Sequence, residues 1–564
     1  MKEIMNLRGL WSLTPFVLGG LAVSGLYRVL PQVMQDEYVY SSQARNLPFE
    51  EHRFSNYLFS WAMSATKLCG DEFYGCVKLI NSGFFMIAIA FTLLIALRYL
   101  PFGWAVFIAS ITALSPLAIQ VSFFMPETMY FMAMTITIWS VLKALDSGRL
   151  VAWVFPGLLL GMAALVKPHA IFLLPAVLLF ALIVEYRRTE KLLTSLASGG
   201  AVAVAFFVSK LSIGYGFAGQ AGLEFFGGYG SPVDRLREVV TDTTPDAAPE
   251  SLVEESGSGL LTLLSVGSSH LIAHTAILAI LAGIPLVLAI RVSWRILRTR
   301  EAVSDASGFM LLIALLTGSM LVLVPAFEGY VTANGDDHTM RLILRYYEFL
   351  IPSFLIAALL LGRFVESNLL SRLAQAAIVS VASIGVAVVY PNGFDAKFAD
   401  SSFLPGFNAY PYWFVIAAIV ISIASLYWAI KPETGSYTLT AGAIPIVLIL
   451  AMVLSQVVLT RAGTGNAYFD VAGLESRPKL IGIAGEKIGI VGQTRPEVFT
   501  AKFWIDKAGI KDFAASEGGS VDLQLLSGIQ YVLVLGDIEA IGTYQVIHEG
   551  DNFKLLQLFA ANSD

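Results

Sequence analysis

The chain is predicted to be an α-helical, polytopic membrane protein that ends in a small α/β domain. Three observations carry that prediction. Of its 564 residues 56% are hydrophobic and 14% charged, where soluble domains run at about 25% charged. Long apolar runs recur from near the N-terminus to about residue 459. Beyond that point the pattern changes to short strands and one amphipathic helix.

Runs of spanning length, about 20 residues, fall near 10–30, 77–98, 103–123, 128–145, 151–167, 169–186, 194–214, 269–290, 308–326, 346–362, 373–390, 411–430 and 439–459. This makes about thirteen spans. The first lacks a small-residue cleavage site at its end, so it reads as a retained span.

Lys and Arg in the short loops set the orientation. Lys2 and Arg8 precede the first span, and Arg98 follows the second. Lys143, Arg149, Arg187, Arg188 and Lys191 mark the next loops on the same side. Arg291, Arg295, Arg298, Arg300, Arg363, Arg372 and Lys431 complete the series. All lie on one face if the N-terminus is cytoplasmic. Loops 31–76 and 215–268, shorter loops at 327–345 and 391–410, and the tail are then expected on the outward face. The 215–268 loop is Gly-rich at its start and acidic later, a solvated composition. Aromatics of 391–410 (Phe394, Phe398, Phe403, Phe407, Tyr410) suit a membrane interface.

The tail, 460–564, reads as the α/β domain. KIGIVGQ (487–493) and YVLVLG (531–536) are expected to be buried strands. RPEVFTAKFWIDKAG (495–509) is expected to be a helix capped at Gly509. YQVIHEGDNFKLLQL (544–558) is expected to be a hairpin turning at EGDN. Its glycines do not fit a dinucleotide fingerprint.

Charge and cysteine content exclude several functions. A net charge of −6 argues against a nucleic-acid partner. Two cysteines, Cys69 and Cys76, exclude a metal–thiolate cluster. They can close a small loop disulfide around GDEFYG, or stand too far apart if the segment is one helix. No internal repeat supports an inverted-repeat transporter.

The polar residues at the outward boundary carry the chemistry. Asp36 and Glu37, in MQDEYVYSSQAR, follow the first span, with Tyr38 and Tyr40 beside them. An acidic pair at a membrane boundary is costly unless it is solvated or serves chemistry. Glu127 sits in FMPETMYF between the third and fourth spans, a position that a helix N-terminus would also favour. Lys167 and His169 sit in LVKPHAIF; a boundary lysine can also simply snorkel. Asp336, Asp337, His338, Arg341 and Arg345 lie in GDDHTMRLILRYYEF, the two arginines one helical turn apart. A carboxylate within reach of a hydroxyl can act as general base. Lys, Arg and His can hold a phosphate. A groove between spans could hold a lipid tail. The parts describe transfer of a sugar from a lipid phosphate.

QDEYVY, PET, KPH and RYYEFLIP, in this order and on one face, resemble the GT-C superfamily of integral-membrane glycosyltransferases. The branch in question holds protein O-mannosyltransferases, aminoarabinose transferases of lipid A and arabinofuranosyltransferases. The resemblance covers residues 1 to about 390 and implies a GT-C-type fold in the bacterial inner membrane, with the C-terminal domain periplasmic. It implies an inverting enzyme that moves a sugar from a polyprenyl-phosphate donor to a cell-envelope glycan or glycolipid. Asp36 would be the base, Glu37 its support, and Glu127 the second acidic site. Lys167, His169, Arg341 and Arg345 would hold the donor phosphate; Tyr38 and Tyr40 would shape the acceptor side. Members divide on metal dependence, which leaves open a divalent ion (Mg or Mn) on Asp36 and Glu127 or on Asp336, Asp337 and His338. Two departures stand out: a glutamate where several relatives have aspartate, and a C-terminal domain that many lack. The rival readings are an O-antigen ligase or polymerase, using a lipid-diphosphate glycan, and a lipid or glycan transporter.

Overall fold

The computed structural model describes residues 9–27, 35–225, 258–299, 303–333, 341–364, 368–393, 397–463, 468–515 and 519–559. All thirteen expected apolar runs contain helix, but they are not all full spans. Among the described residues, ten helices are long and apolar enough to cross a membrane. An eleventh is a pair, Phe102–Ala113 with Pro116–Ser122, bent by 47°. The other two runs are short, Leu150–Val166 and Ile351–Leu360. The expected count of about thirteen therefore becomes ten, or eleven with the bent pair.

The shortening has a local cause. A residue before proline is pushed out of the helical region, and Lys167, before Pro168, sits at φ −146°, ψ 115°. A run of 3-10 turn, Pro168–Leu173, follows before the helix resumes. Two more 3-10 turns, Leu344–Tyr346 and Glu348–Leu350, precede Ile351–Leu360. Pro116 opens the 3-10 half of the bent pair, and Pro126 caps the helix Glu127–Ser147. Such breaks cost backbone hydrogen bonds and are tolerated where protein surrounds them.

Leu150–Val166, which ends at Lys167, lies close against Leu192–Ala218. A Cβ added at Gly157 would stand 2.4 Å from the Val202 carbonyl, and one at Gly161 2.5 Å from that of Phe206. Small residues four apart allow this backbone approach.

In the C-terminal part, β1 (Ile488–Gly492), β2 (Lys511–Ala514), β4 (Tyr531–Leu535), β6 (Tyr544–Gly550) and β7 (Phe553–Leu558) form one sheet, ordered β2-β1-β4-β7-β6. β1 is parallel to both its neighbours; β7 is antiparallel to β4 and β6. β3 (Ser520–Asp522) and β5 (Glu539–Ile541) pair separately. Alternate residues bury opposite faces, as the two-residue period of a strand requires. Ile488, Ile490, Leu533 and Leu535 face the helix Arg495–Ile505, whereas Val491, Val532 and Val534 face Val521 and Leu523. The expected strands and hairpin are present. The helix stops earlier than expected, at Ile505, and its cap is Asp506, left-handed at φ 57°, rather than Gly509, which follows at φ 79°.

That early stop serves a contact. The Asp506 carboxylate takes two guanidinium bonds from Arg45, Nη2–Oδ2 at 2.6 Å and Nε–Oδ1 at 3.0 Å. Tyr38 packs on Phe499 with ring centroids 5.1 Å apart. The C-terminal part thus rests on the helix Gln35–Arg45, which carries Asp36.

Cys69 and Cys76 form a disulfide with Cα atoms 6.5 Å apart. Seven residues along one helix would span about 10 Å. The segment is instead broken at Gly70, φ 53° and ψ −124°, before the helix Phe73–Tyr99 begins.

Candidate functional site

The site forms where the helix breaks meet. Asp36 and Glu37 lie in the first turn of Gln35–Arg45. Successive residues on a helix point about 100° apart, and here the two carboxylates part company. Asp36 is partly exposed, its side chain 41% accessible, and stands 3.6 Å from Arg345 Nη1. Glu37 is fully buried and accepts from Tyr74 Oη at 2.9 Å and from the Phe124 backbone N–H at 2.7 Å. Glu37 therefore ties the acidic helix to the turn that leads into Glu127.

Glu127 opens its helix with the side chain buried. Its Oε1 is 3.0 Å from Lys167 Nζ and 3.2 Å from Arg345 Nη1. Three breaks, at Pro126, at Pro168 and at the 3-10 turns of 344–350, bring these charges to one point. The result is two carboxylates and two cations, buried apart from Asp36. A buried ion pair gains little net stability over an apolar packing, because desolvation offsets its Coulomb attraction. Removing one partner is far more costly, so the four groups depend on each other.

Aromatic rings wall the cations. Lys167 Nζ lies 4.5 Å from the Tyr346 ring centroid and 5.5 Å from that of Tyr130. His169 stacks on Tyr346 with centroids 4.3 Å apart, and its Nε2 is 2.9 Å from Tyr346 Oη. His169 is thus held beside the cluster, through Tyr346. Tyr40, Phe54, Lys167, His169 and Arg345 line a small recess. A second small recess, also bordered by Arg345, is lined by Gln120, Glu127 and Glu348.

Two other expected residues are placed differently. Arg341 binds Asp400, Nη2–Oδ1 at 2.6 Å, and lines the rim with its side chain 30% exposed. Asp400 also accepts the Arg345 backbone N–H at 2.9 Å, so it fixes both arginines. Tyr38 lies between its own helix and Phe499, near Asp512; burial pushes its hydroxyl up to about 12. It belongs to the contact with the C-terminal part. Of the suggested metal ligands, Asp36 and Glu127 both point at Arg345, a cation of the chain itself. Asp336, Asp337 and His338 lie outside the described residues.

Tyr346 and Glu348 were not singled out from the sequence, although RYYEF contains both. Glu348 is buried and accepts the Ser402 backbone N–H at 2.7 Å, pinning the 3-10 turns to the 401–402 segment. The signal was an acidic residue three places after Arg345, inside an otherwise apolar run.

Residues 58–213 match the family model described as dolichyl-phosphate-mannose-protein mannosyltransferase. No curated protein matches the chain. Among solved structures, the chain is similar to ArnT from Cupriavidus metallidurans, at 13% identity over 98% of both chains, with a TM-score of 0.45. It is also similar to the oligosaccharyltransferase of Archaeoglobus fulgidus, at 12% identity over 93% of this chain and 69% of that one, with a TM-score of 0.41. The family match includes Glu127, Lys167 and His169. It falls inside the stretch that resembles the GT-C glycosyltransferases and supports that resemblance.

Proposed function

We propose that this protein is an inverting glycosyltransferase that moves one sugar from a polyprenyl-phosphate donor to a cell-envelope glycan or glycolipid. The reaction takes place at the outward membrane surface, where the donor lipid stays in the bilayer and its phosphate reaches the charged cluster. One observation carries the reading: Asp36, the accessible carboxylate, stands 3.6 Å from Arg345, which shares Glu127 with Lys167. A base and a phosphate-holding pair are therefore side by side.

The acceptor hydroxyl gives its proton to Asp36 as its oxygen attacks C1 of the sugar. The C1–O bond to phosphate breaks, and its electron pair leaves with the polyprenyl phosphate. Attack and departure on opposite faces invert the anomeric centre. The site's total charge does not change in this step. One negative charge leaves Asp36 and appears on the phosphate, next to Arg345 and Lys167. Fixed cations placed where charge develops stabilise a transition state without reorganising. Glu37 positions Asp36 and the turn before Glu127; Arg341 guards the rim.

The test is Asp36→Asn in lipid nanodiscs, with a polyprenyl-phosphate sugar as donor. Loss of a general base costs about 100- to 10,000-fold in rate, with donor binding retained. A folded variant that binds donor and turns over at the wild-type rate would sink the proposal. Mass spectrometry of the lipid-linked sugars that accumulate in a deletion strain identifies the donor.

A further inference from the structure

A second polar cluster lies inside the helices, away from the carboxylate–arginine site. His270 and His274, in HLIAH, are one turn apart on Ser258–Arg298, so both rings project from one face. Opposite them on the neighbouring helix Asp305–Ala333 is Glu328. All three side chains have 0% exposure. Ionisable groups within apolar helices are expensive and mark function by default.

The geometry is that of a ligand set. His270 Nδ1 is 2.6 Å and His274 Nε2 3.4 Å from the same oxygen, Glu328 Oε2. One ligand atom from each of the three residues lies within 4.8 Å of the others. Donor atoms around a tetrahedral zinc ion, each about 2.0–2.1 Å from it, stand about 3.3 Å apart. The His274–Glu328 pair is already at that spacing, and the His270–Glu328 pair would open by under an ångström.

Hydrogen bonding around the cluster settles which histidine nitrogen is free to bind. Tyr347 Oη donates its single proton to the Met320 carbonyl at 3.0 Å. It therefore receives the Nδ1–H of His274, 2.9 Å away. Neutral imidazole has one N–H, so His274 Nε2 turns a lone pair toward Glu328 Oε2, itself an acceptor. Two lone pairs facing each other in an apolar interior repel unless a proton or a cation lies between them. An outer partner that fixes the tautomer of a ligating histidine is a recurrent feature of metal sites.

We propose that His270 Nδ1, His274 Nε2 and Glu328 Oε2 bind one divalent transition metal ion. Two imidazoles and a carboxylate suit zinc. Such a site would act on the chain between its outer partners. The Ile343 N–H donates to the other Glu328 oxygen, Oε1, at 3.2 Å, and Tyr347 holds His274. Arg345 lies between Ile343 and Tyr347 in the sequence. The metal thus clamps both sides of the segment that presents Arg345, as a positioning element outside the reaction itself.

The test uses the full-length protein in nanodiscs, incubated with zinc alone, desalted, and measured for metal content. About one zinc per chain is expected in the wild type. Glu328→Gln keeps shape and a hydrogen-bond acceptor but should lower zinc affinity at least tenfold. Tyr347→Phe, which frees the tautomer, should lower it about 10- to 100-fold. Zinc should raise the melting temperature of the wild type and not that of Glu328→Gln. Exposed pairs such as His548–Glu475 are common to all these proteins, so the difference isolates the buried site. Wild-type protein that retains no more zinc than Glu328→Gln would overturn the proposal.

Discussion

Glu127 and Asp146 stand at opposite ends of one helix, about 28 Å apart by the rise of 1.5 Å per residue, and each binds an arginine from another element. At the Asp146 end, Arg98 bridges Asp146 and Asp305, whose side chains are 49% and 47% exposed. At the Glu127 end, the side chains of Glu127, Lys167 and Arg345 are all under 10% exposed, and only Asp36 reaches solvent. The first cluster staples helix ends in water, where an ion pair contributes little. The second keeps cations desolvated, where their effect on a bound charge is large. Both clusters set an arginine between two carboxylates; burial and backbone breaks separate a staple from a site.

The widest separation should come from one substitution made at both ends. Asp36→Asn should lower kcat about 100- to 10,000-fold, whereas Asp146→Asn should leave kcat unchanged. Equal effects would erase the distinction. Arg345→Met should lower kcat about 100- to 1000-fold, the size of losing one fixed stabiliser of developing charge, with Arg98→Met again inactive on the rate.

Stability should divide the two ends as well. Glu127→Gln leaves Lys167 and Arg345 facing each other in a buried place, which costs about 3–5 kcal/mol. Arg98→Met should cost about 1 kcal/mol or less. Denaturant melts in detergent read both. If Arg98→Met costs as much as Glu127→Gln, exposure is not what distinguishes the clusters.

These contrasts explain what was legible in the sequence. Asp36, Glu127, Lys167 and Arg345 could be found because boundary charges beside Pro126 and Pro168 mark both sidedness and helix breaks. Arg341 looked equivalent to Arg345 by its spacing, but residues 341–343 are not helical and a 3-10 turn begins only at Leu344, so the two do not share a helical face; Arg341 meets Asp400 instead. Glu37 looked equivalent to Asp36, yet adjacent helical positions diverge, and Tyr74 and Phe124 claim it. Tyr38 was drawn to the C-terminal helix through Phe499, a contact across more than 450 residues that no local pattern encodes. His270 and His274 lie inside the 269–290 run, where hydropathy hides two histidines one turn apart, and Glu328 falls just past the 308–326 run, in the expected 327–345 loop. The disulfide depended on Gly70 breaking a run that periodicity could not tell from a helix.

A buried carboxylate elsewhere in the chain sharpens the comparison because its hydrogen-bond partner is neutral. Asp470, in the C-terminal part, is 6% exposed and accepts the Trp504 indole N–H at 2.7 Å. Burial lifts its carboxyl from 3.8 to about 6. The folded state therefore holds the proton more tightly than the unfolded one. Its stabilising contribution is complete below about pH 4 and lost as pH rises through about 6. Above that the wild type carries a cost approaching 3 kcal/mol, from a shift of about two units. Asp470→Asn keeps the indole bond and has no charge to bury. Relative to wild type, its melting temperature should rise from pH 4 to pH 7 and then level off. A pH-independent difference between the two would mean that Asp470 is matched as Glu127 is, by a positive charge.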